Sequence, residues 1–256
     1  MDLSAITPFV LTLDEEPNVG RVLERLRWAQ RVIVVDSGST DRTVELATSF
    51  PNVDLVARAF DSSAGQSNYA LAAVDTRWAL ALDADYVVSE ALVAEIRALP
   101  EEPRESGFLV PFDYRVLGKT LRASLYPPRE VLFRRDAATF AQDGHTQRVR
   151  VAGPTGRLRS PIVHDDRKDL ARWLRSQAVY AEHEAAKLVA APWGELGLID
   201  RMRKTGVLGA PAVTAWCLFA KGLVLDGRAG LYYTAQRAVA EMILSLELLE
   251  ARRKDA

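Results

Sequence analysis

The first 115 residues alternate short apolar runs with amphipathic stretches, and this alternation constrains the fold more than any other feature. Val32–Val35 consists entirely of β-branched residues, which is typical of a strand buried on both faces. Val19–Gln30, by contrast, carries apolar residues at helical spacing. Because strand and helix signals keep alternating as far as Leu99, we predict a mostly parallel sheet with helices on both faces.

The predicted strands and helices follow one another in a simple order. Residues 107–166 are richer in strand signals, glycine and proline, and the rest of the chain is predicted to be helical. The predicted strands are Ala5–Leu13, Arg31–Val35, Val53–Ala57, Trp78–Leu82, Gly107–Tyr114, Glu130–Arg134, Gln147–Val151 and Leu158–Val163. The predicted helices are Val19–Gln30, Val44–Ser49, Gln66–Val74, a helix opened by Ser89 that runs through Leu99, and Asp169–Ala191.

Length and cysteine content narrow the class of protein. At 256 residues, the chain is long enough for one large domain with a second, smaller part. A single cysteine, Cys217, excludes an intramolecular disulfide and a cysteine-built zinc site. The first residues lack a basic segment followed by an apolar one, so we expect no signal peptide and a cytoplasmic protein.

Charge is unevenly distributed, although the net charge is only −1. Residues 1–114 have a balance of −10, residues 115–175 of +8, and residues 176–256 of +1. The basic middle indicates either an anionic partner on one face or a solvated, arginine-rich surface. The distribution of charge alone does not decide between these two interpretations.

The stretch Thr205–Ala220 carries no charged residue but contains Gly206, Gly209 and Pro211, so it is short for a membrane span. It predicts a buried or interfacial helix. With Arg201, Arg203 and Arg228 nearby, such a helix favours an anionic membrane surface. The alternatives are packing in the sheet domain and a homo-oligomer interface.

Acidic residues follow two predicted strands. Asp36 follows Val32–Val35 and precedes Gly38, Ser39 and a helix, which is where ligands bind in parallel sheets. The alternative is a plain strand–turn–helix with Ser39 as helix cap. Asp83 and Asp85 follow the apolar run Trp78–Leu82, and two carboxylates so close together favour a bound divalent cation.

Two histidines lie next to carboxylates, in Asp143-Gly144-His145 and in His164-Asp165-Asp166. Histidine is a common metal ligand and acid–base group, so both segments are candidates for a reactive site. Each could equally be an ordinary surface or core histidine.

Taken together, these residues resemble an inverting family 2 glycosyltransferase with the GT-A nucleotide-sugar fold, and more narrowly the bacterial lipopolysaccharide core β-glucosyltransferase group. The matching segments are Leu11–Glu16, Val34–Thr43, Gln66–Leu71, Trp78–Asp85, Leu132–Arg135, His145, His164, Tyr180 and Asp226–Leu231. The resemblance implies an α/β fold in which a Rossmann-like mixed sheet is flanked by helices. It also implies a catalytic domain at 1–166, with a nucleotide-sugar half at 1–115 and an acceptor half at 107–166, and a helical extension at 167–256.

The resemblance also implies residue roles. The nucleotide-sugar site would be formed by Thr12, Leu13, Glu15, Asp36, Ser39, Gln66, Asn68 and Asp83. Asp85 would be the direct ligand of Mg²⁺ or Mn²⁺, and His164 would close over the metal and diphosphate. The group usually has a His-Glu pair where this chain has His145-Thr146, and threonine cannot serve as a base. Asp143 is therefore our first candidate for the base, with Asp165 and Asp166 as runners-up.

The resemblance implies transfer of a hexose, most simply glucose, from a UDP-sugar to a lipopolysaccharide core or other lipid-linked acceptor at the inner face of the membrane. The group usually has Asn at Asp14 and Glu at Tyr86, and these departures leave the expected fold unchanged but bear on the acceptor and on activity. A catalytically degenerate member that only binds nucleotide sugar or a partner is the alternative, and a nucleotidyltransferase is a weaker one. We expect no nucleic-acid partner.

Overall fold

The computed structural model describes residues 1–143 and 146–254, and their contacts form two compact units. Unit 1 comprises Met1–Tyr114 and Tyr126–Lys168, and unit 2 comprises Arg115–Leu125 and Asp169–Ala256. Relative to the division expected from sequence, residues 115–125 lie with the C-terminal helices. Local periodicity could not indicate this, because the contacts join segments about a hundred residues apart.

The secondary structure follows the predicted alternation. The strands are β1 (Ile6–Thr12), β2 (Val32–Asp36), β3 (Val53–Ala57), β4 (Trp78–Asp83), β5 (Tyr86–Val88), β6 (Gly107–Val110), β7 (Phe112–Val116), β8 (Lys119–Thr120), β9 (Arg129–Arg134), β10 (Ala138–Asp143), β11 (Thr146–Val151), β12 (Thr155–Arg157) and β13 (Ile162–His164). The helices are α1 (Val19–Glu24), α2 (Thr43–Thr48), α3 (Ser63–Ala72), α4 (Glu90–Ala98), α5 (Leu170–Ala190), α6 (Leu198–Lys204), α7 (Gly209–Ala215) and α8 (Arg228–Lys254).

The central sheet of unit 1 is mixed, with strand order β12-β6-β9-β4-β1-β2-β3. β4, β1, β2 and β3 are parallel, whereas β9 runs antiparallel to β4 and β6. From β1 the chain builds β2 and β3 on one side, and then returns to place β4 on the other. The carboxyl ends of β1 and β4 therefore lie at the switch point where ligands bind in such sheets.

Both faces of this sheet are buried. Val32 and Val34 belong to a core cluster that includes residues of α1 and α4, whereas Ile33 and Val35 belong to another that includes residues of α3. All four side chains are fully buried. Because successive side chains of a strand point to opposite faces, the β-branched run identified in the sequence requires helices on both sides.

Of the predicted strands, one is divided and one is shortened at a proline in the structure. The predicted strand Gly107–Tyr114 becomes β6 and β7, separated by Pro111, and Leu158–Val163 contributes only β13, which follows Pro161. Proline has no backbone N–H with which to continue a ladder. The N–H groups of Arg159 and Ser160 donate to the carboxylate of Glu95 instead of to a strand.

The uncharged run Thr205–Ala220 forms α7 and a π-helical turn, Trp216–Ala220, rather than one continuous helix. A 3-10 turn, Leu223–Asp226, follows and leads into α8. Across residues 1–143 and 146–254, no helix combines the length and apolar character that a membrane span needs.

The contact of Gly230 with the 3-10 turn gives a stability prediction. A Cβ at this position would lie 1.9 Å from the carbonyl oxygen of Leu223 and 3.0 Å from the Cβ of Asp226. Because a backbone carbonyl cannot rotate away as a side chain can, Gly230→Ala should lower the free energy of unfolding by at least about 1–3 kcal/mol. Gly194→Ala, whose Cβ would meet nothing within 4 Å, is the control in thermal melts, and equal melting temperatures for both variants would contradict the prediction.

Candidate active site

The carboxyl edge of the sheet brings the predicted acidic residues next to β1. In the register of the parallel strands, Thr12 pairs with Asp36 on β2 and Leu11 pairs with Asp83 on β4. The two acidic strand ends, which are 47 positions apart in sequence, therefore flank the same strand. This is the arrangement expected from the sequence.

Asp36 organises the turn after β2. Its carboxylate accepts hydrogen bonds from the Thr12 hydroxyl (2.8 Å) and from the backbone N–H groups of Gly38 (3.0 Å) and Ser39 (2.8 Å). Asp36 is only 2% exposed. Gly38 has φ = +98°, a conformation that favours glycine. The turn is thus held by the carboxylate predicted to face the nucleotide.

Ser39 links this turn to the loop after β1 and does not cap α2. Its hydroxyl donates to Asp36 and accepts from the N–H of Asp14 (2.8 Å). α2 has no side-chain N-cap bond, and the nearby Asp41 carboxylate accepts from the N–H of Thr43 (2.9 Å). Leu13, which was predicted to belong to the nucleotide-sugar site, is 45% exposed in the same loop.

Gln66 and Asn68 on α3 form hydrogen bonds to the backbone of neighbouring segments. The Gln66 amide nitrogen donates to the Ser37 hydroxyl (3.0 Å) and to the Arg58 carbonyl (2.9 Å). Asn68 donates to the Phe140 carbonyl and accepts from the Phe140 N–H, both at 2.9 Å. Both side chains thus position the elements around the site, Asn68 by holding β10 to α3.

Removing the Asn68 amide should loosen β10. Asn68→Ala leaves the N–H and carbonyl of Phe140 without this partner, and because both bonds are exposed to water, we expect a loss of about 0.5–1.5 kcal/mol in the free energy of unfolding. Asn68→Asp keeps an acceptor for the N–H and should lose less. Chemical denaturation of both variants measures this, and equal stability of wild type and Asn68→Ala would contradict the structural role.

Asp83 and Asp143 line one cavity of about 420 Å³ in unit 1. Phe9 and Leu11 of β1 form its apolar wall, and Arg129 of β9 adds a positive charge. The structure therefore brings the first Asp of the Asp-Ala-Asp segment together with the predicted base. Gly144 and His145 lie outside the described residues, as does the side chain of Thr146.

Asp85 is almost fully buried (8% exposed) and lies beside His164. The His164 Nε2 is 3.5 Å from Asp85 Oδ2. β13 pairs antiparallel to β5, with His164 opposite Tyr86, and this register places the histidine next to Asp85. Burial, together with the charges of Asp166 and Asp83, raises the pKa of the Asp85 carboxyl.

Asp85 is suited to a cation. Its Oδ1 is buried without a hydrogen-bond donor among the residues that the structure describes. Within the described ranges no three His, Cys, Asp or Glu side chains are arranged to hold a metal. Mg²⁺ is commonly bound through one or two carboxylates plus substrate phosphates, so Asp85 and Asp83 fit a cation that the substrate helps to bind.

Asp165 is engaged by arginines. Its carboxylate accepts from Arg21 (2.6 Å) and from Arg167 (3.0 Å), and the residue is 5% exposed. These charge-assisted bonds hold the carboxylate in place. Of these two candidates for the base, Asp143 lines the cavity and Asp165 does not.

Lys168 and Asn18 complete the site and were not singled out from sequence. Lys168 Nζ contacts Glu15 (2.7 Å) and Asp166 (3.6 Å), and the Asn18 amide donates to the same two carboxylates at 2.9 and 3.0 Å. Burial lowers the pKa of Lys168, but the nearby carboxylates outweigh it and the net pKa is raised. The sequence offers one hint of this role, because Lys168 follows His164 by only four residues.

Arg129 was also missed. Its guanidinium lies over the Tyr126 ring, 4.7 Å from the centroid, and the hydroxyl of Tyr126 hydrogen-bonds that of Tyr86. Tyr114 stacks on His164 at 4.4 Å. Aromatic rings thus pack against His164, which lies beside Asp85.

Sequence comparison finds relatives over part of the chain. A segment of 91 residues is 31% identical to "Lipopolysaccharide core biosynthesis glycosyltransferase LpsC" of Rhizobium meliloti (strain 1021), covering 34% of this chain and 34% of that protein. A segment of 105 residues is 31% identical to an uncharacterized glycosyltransferase of Rickettsia bellii (strain RML369-C), covering 41% and 35%. The matched part is thus about a third of these relatives' length.

Structure comparison identifies the fold. The crystal structure of S. aureus TarS 1-349 in complex with UDP-GlcNAc matches with a TM-score of 0.50 at 13% identity, covering 98% of this chain and 92% of that chain. The expected mixed sheet flanked by helices, the GT-A architecture, is thereby confirmed. The model of "Glycosyl transferase family 2" matches residues 7–162, which is more than half of the chain. The chain therefore belongs to glycosyl transferase family 2.

Proposed function

We propose that this protein transfers a hexose, most simply glucose, from a UDP-sugar to a lipopolysaccharide core or other lipid-linked acceptor, with inversion at the anomeric carbon. The observation that carries the proposal is the cavity at the switch point of the sheet, lined by both Asp83 and Asp143. The similarity to LpsC supports the class of acceptor. Membership of family 2 supports the class of reaction.

The donor would lie along the carboxyl edge of β1, β2 and β4. The turn held by Asp36 would take the uridine, with Thr12, Leu13 and Glu15 on its other side, and Ser39, Gln66 and Asn68 keep the surrounding loops in place. Asp83 would face the sugar and diphosphate. Arg129 would offer positive charge to the leaving diphosphate as negative charge develops there.

Asp85, with Asp83, would hold Mg²⁺ or Mn²⁺, and His164 would stay beside it. A divalent cation there supplies charge neutralisation for the diphosphate. Asp143 accepts the proton of the acceptor hydroxyl, whose oxygen forms a bond to the anomeric carbon. The bond from that carbon to the diphosphate oxygen breaks, and UDP leaves with the electron pair. One displacement of this kind inverts the configuration.

A thermal-shift panel of UDP-, ADP- and GDP-sugars, with and without MnCl₂, tests the donor. A ligand at 100 times its Kd stabilises the fold by about 2.7 kcal/mol, so a UDP-sugar should raise the melting temperature and the other two classes should not. Stabilisation by an ADP- or GDP-sugar alone would refute the donor assignment.

UDP release separates turnover from binding alone. With donor, metal and a lipid-linked core acceptor, UDP should accumulate and NMR of the product should show inverted configuration. Donor binding without UDP release would favour the catalytically degenerate alternative, which the threonine at position 146 motivates. Release of pyrophosphate would indicate a nucleotidyltransferase.

A further inference from the structure

Unit 2 exposes several large apolar side chains within one short stretch of chain. Cys217 and Leu223 are fully buried and anchor the π-helical and 3-10 turns. Other apolar side chains near these two buried residues are exposed to solvent. These are Trp216, Phe219, Val224 and Leu225, which are 55%, 74%, 48% and 68% exposed.

A strained leucine occurs at the tip of the β7–β8 hairpin in the same unit. Val116 pairs with Lys119, so Leu117 and Gly118 form the turn, and their φ angles are +50° and +78°. Such turns favour Asn-Gly, and a leucine with positive φ is an outlier. Leu117 is 67% exposed, so packing within the chain does not explain this residue.

The hairpin tip adjoins the turn that precedes α8. Lys119 Nζ donates to the carbonyl of Asp226 (3.0 Å), and Arg122 Nε donates to its carboxylate (3.2 Å). Leu117 and Asp226 also line the same open recess, together with Arg228. The exposed leucine and the exposed apolar turns therefore belong to one region of unit 2.

The charge of this region is positive. Residues 115–125 contain three Lys or Arg and no acid, and residues 205–240 contain three Lys or Arg and a single acid, Asp226. Asp226 is 5% exposed and already bonded to Lys119 and Arg122. The exposed charges that these two segments contribute, such as Arg228, are thus basic and complement an anionic surface.

We propose that unit 2 docks on an anionic lipid bilayer through these five side chains, which we call the docking patch: Leu117, Trp216, Phe219, Val224 and Leu225. Tryptophan and other apolar side chains favour the headgroup boundary, and nearby lysines and arginines add attraction to anionic lipid. Lys221 and Arg228 supply that attraction. Arg203, which the sequence suggested for this role, is instead bonded to Glu241 (3.0 Å). The docking patch does not depend on the proposed sugar transfer.

Flotation of the full chain with vesicles tests the proposal. The protein should float with phosphatidylcholine vesicles containing phosphatidylglycerol and not with phosphatidylcholine alone, and 0.5 M salt should weaken binding because it screens surface charge. Phe219→Ser combined with Leu225→Ser should lower binding at least about tenfold, since each removes apolar burial. Leu117→Gly should lower binding while relieving the strained φ, so loss of folding cannot explain its effect.

Leu246→Ser is the matched control. Leu246 is 67% exposed, like Leu225, but lies 18 residues after Arg228 on α8, about 27 Å along the helix axis. This variant should bind as wild type does. Equal loss in Leu246→Ser, unchanged binding of the patch variants, or no binding to either vesicle at low salt would each overturn the proposal. A dimer in light scattering that the double variant dissociates, without vesicle binding, would assign the patch to a second copy of the chain.

Discussion

Asp143→Asn is expected to lower kcat for sugar transfer by about 10²–10⁴-fold, the usual contribution of a general base. Asparagine has nearly the same shape but cannot accept the proton of the acceptor hydroxyl. Asp143 lines the cavity that also contains Asp83, so the change acts where the reacting atoms would lie. The KM for the donor should change little, and steady-state UDP release at saturating acceptor measures both constants.

Asp136→Asn is the matched control, because Asp136 is an exposed aspartate just before β10. Its kcat should equal that of wild type. Asp165→Asn should behave differently from both: it weakens the charge-assisted bonds from Arg21 and Arg167, so it should lower the melting temperature. A normal kcat in Asp143→Asn, with a well-folded but inactive Asp165→Asn, would transfer the role of base to Asp165.

Asp85→Asn is expected to lower metal-dependent transfer by more than about 10²-fold, because charge stabilisation by a bound metal contributes several kcal/mol to the transition state. The metal-free protein should not lose stability. Burial raises the pKa of the Asp85 carboxyl, which means that its negative charge opposes folding, and asparagine removes that charge.

Thermal melts with and without MnCl₂ and UDP distinguish these two effects. Wild type and Asp136→Asn should be stabilised by the pair of ligands, whereas Asp85→Asn should melt at the same temperature with and without metal. Normal turnover in Asp85→Asn, or an undiminished metal-dependent shift, would show that Asp85 does not bind the cation.

Part of the candidate site could be predicted from sequence because it depends on single strands and their ends. The β-branched run before Asp36 and the apolar run before Asp83 identify buried parallel strands, and carboxyl ends of parallel strands share one edge. The predicted strand Val53–Ala57 and the helix opened by Ser89 agree with β3 and α4 for the same local reason. The start of α2 was less predictable than that of α4, because the Ser39 hydroxyl bonds Asp36 rather than the start of α2.

Other parts of the site depend on pairings between distant segments. His164 lies beside Asp85 because β13 pairs with β5, and Asp143 belongs to β10, whose Phe140 is bonded to Asn68 of α3. Such contacts join residues roughly 60 to 80 positions apart in sequence. Local hydrophobic periodicity cannot predict them. For the same reason, the sequence did not single out Lys168 as a partner of the acidic residues.

Local patterns of apolar and acidic residues are enough to specify the alternating α/β architecture, the two acidic strand ends and the family resemblance. Which carboxylate lines the cavity and which is bound by arginines depends on how the chain folds. Folding also places the hairpin at 115–125 with the C-terminal helices, where Leu117 adjoins the turn before α8. Burial and charge pairing are properties of the assembled chain, and identical aspartates acquire different roles through the neighbours that folding gives them.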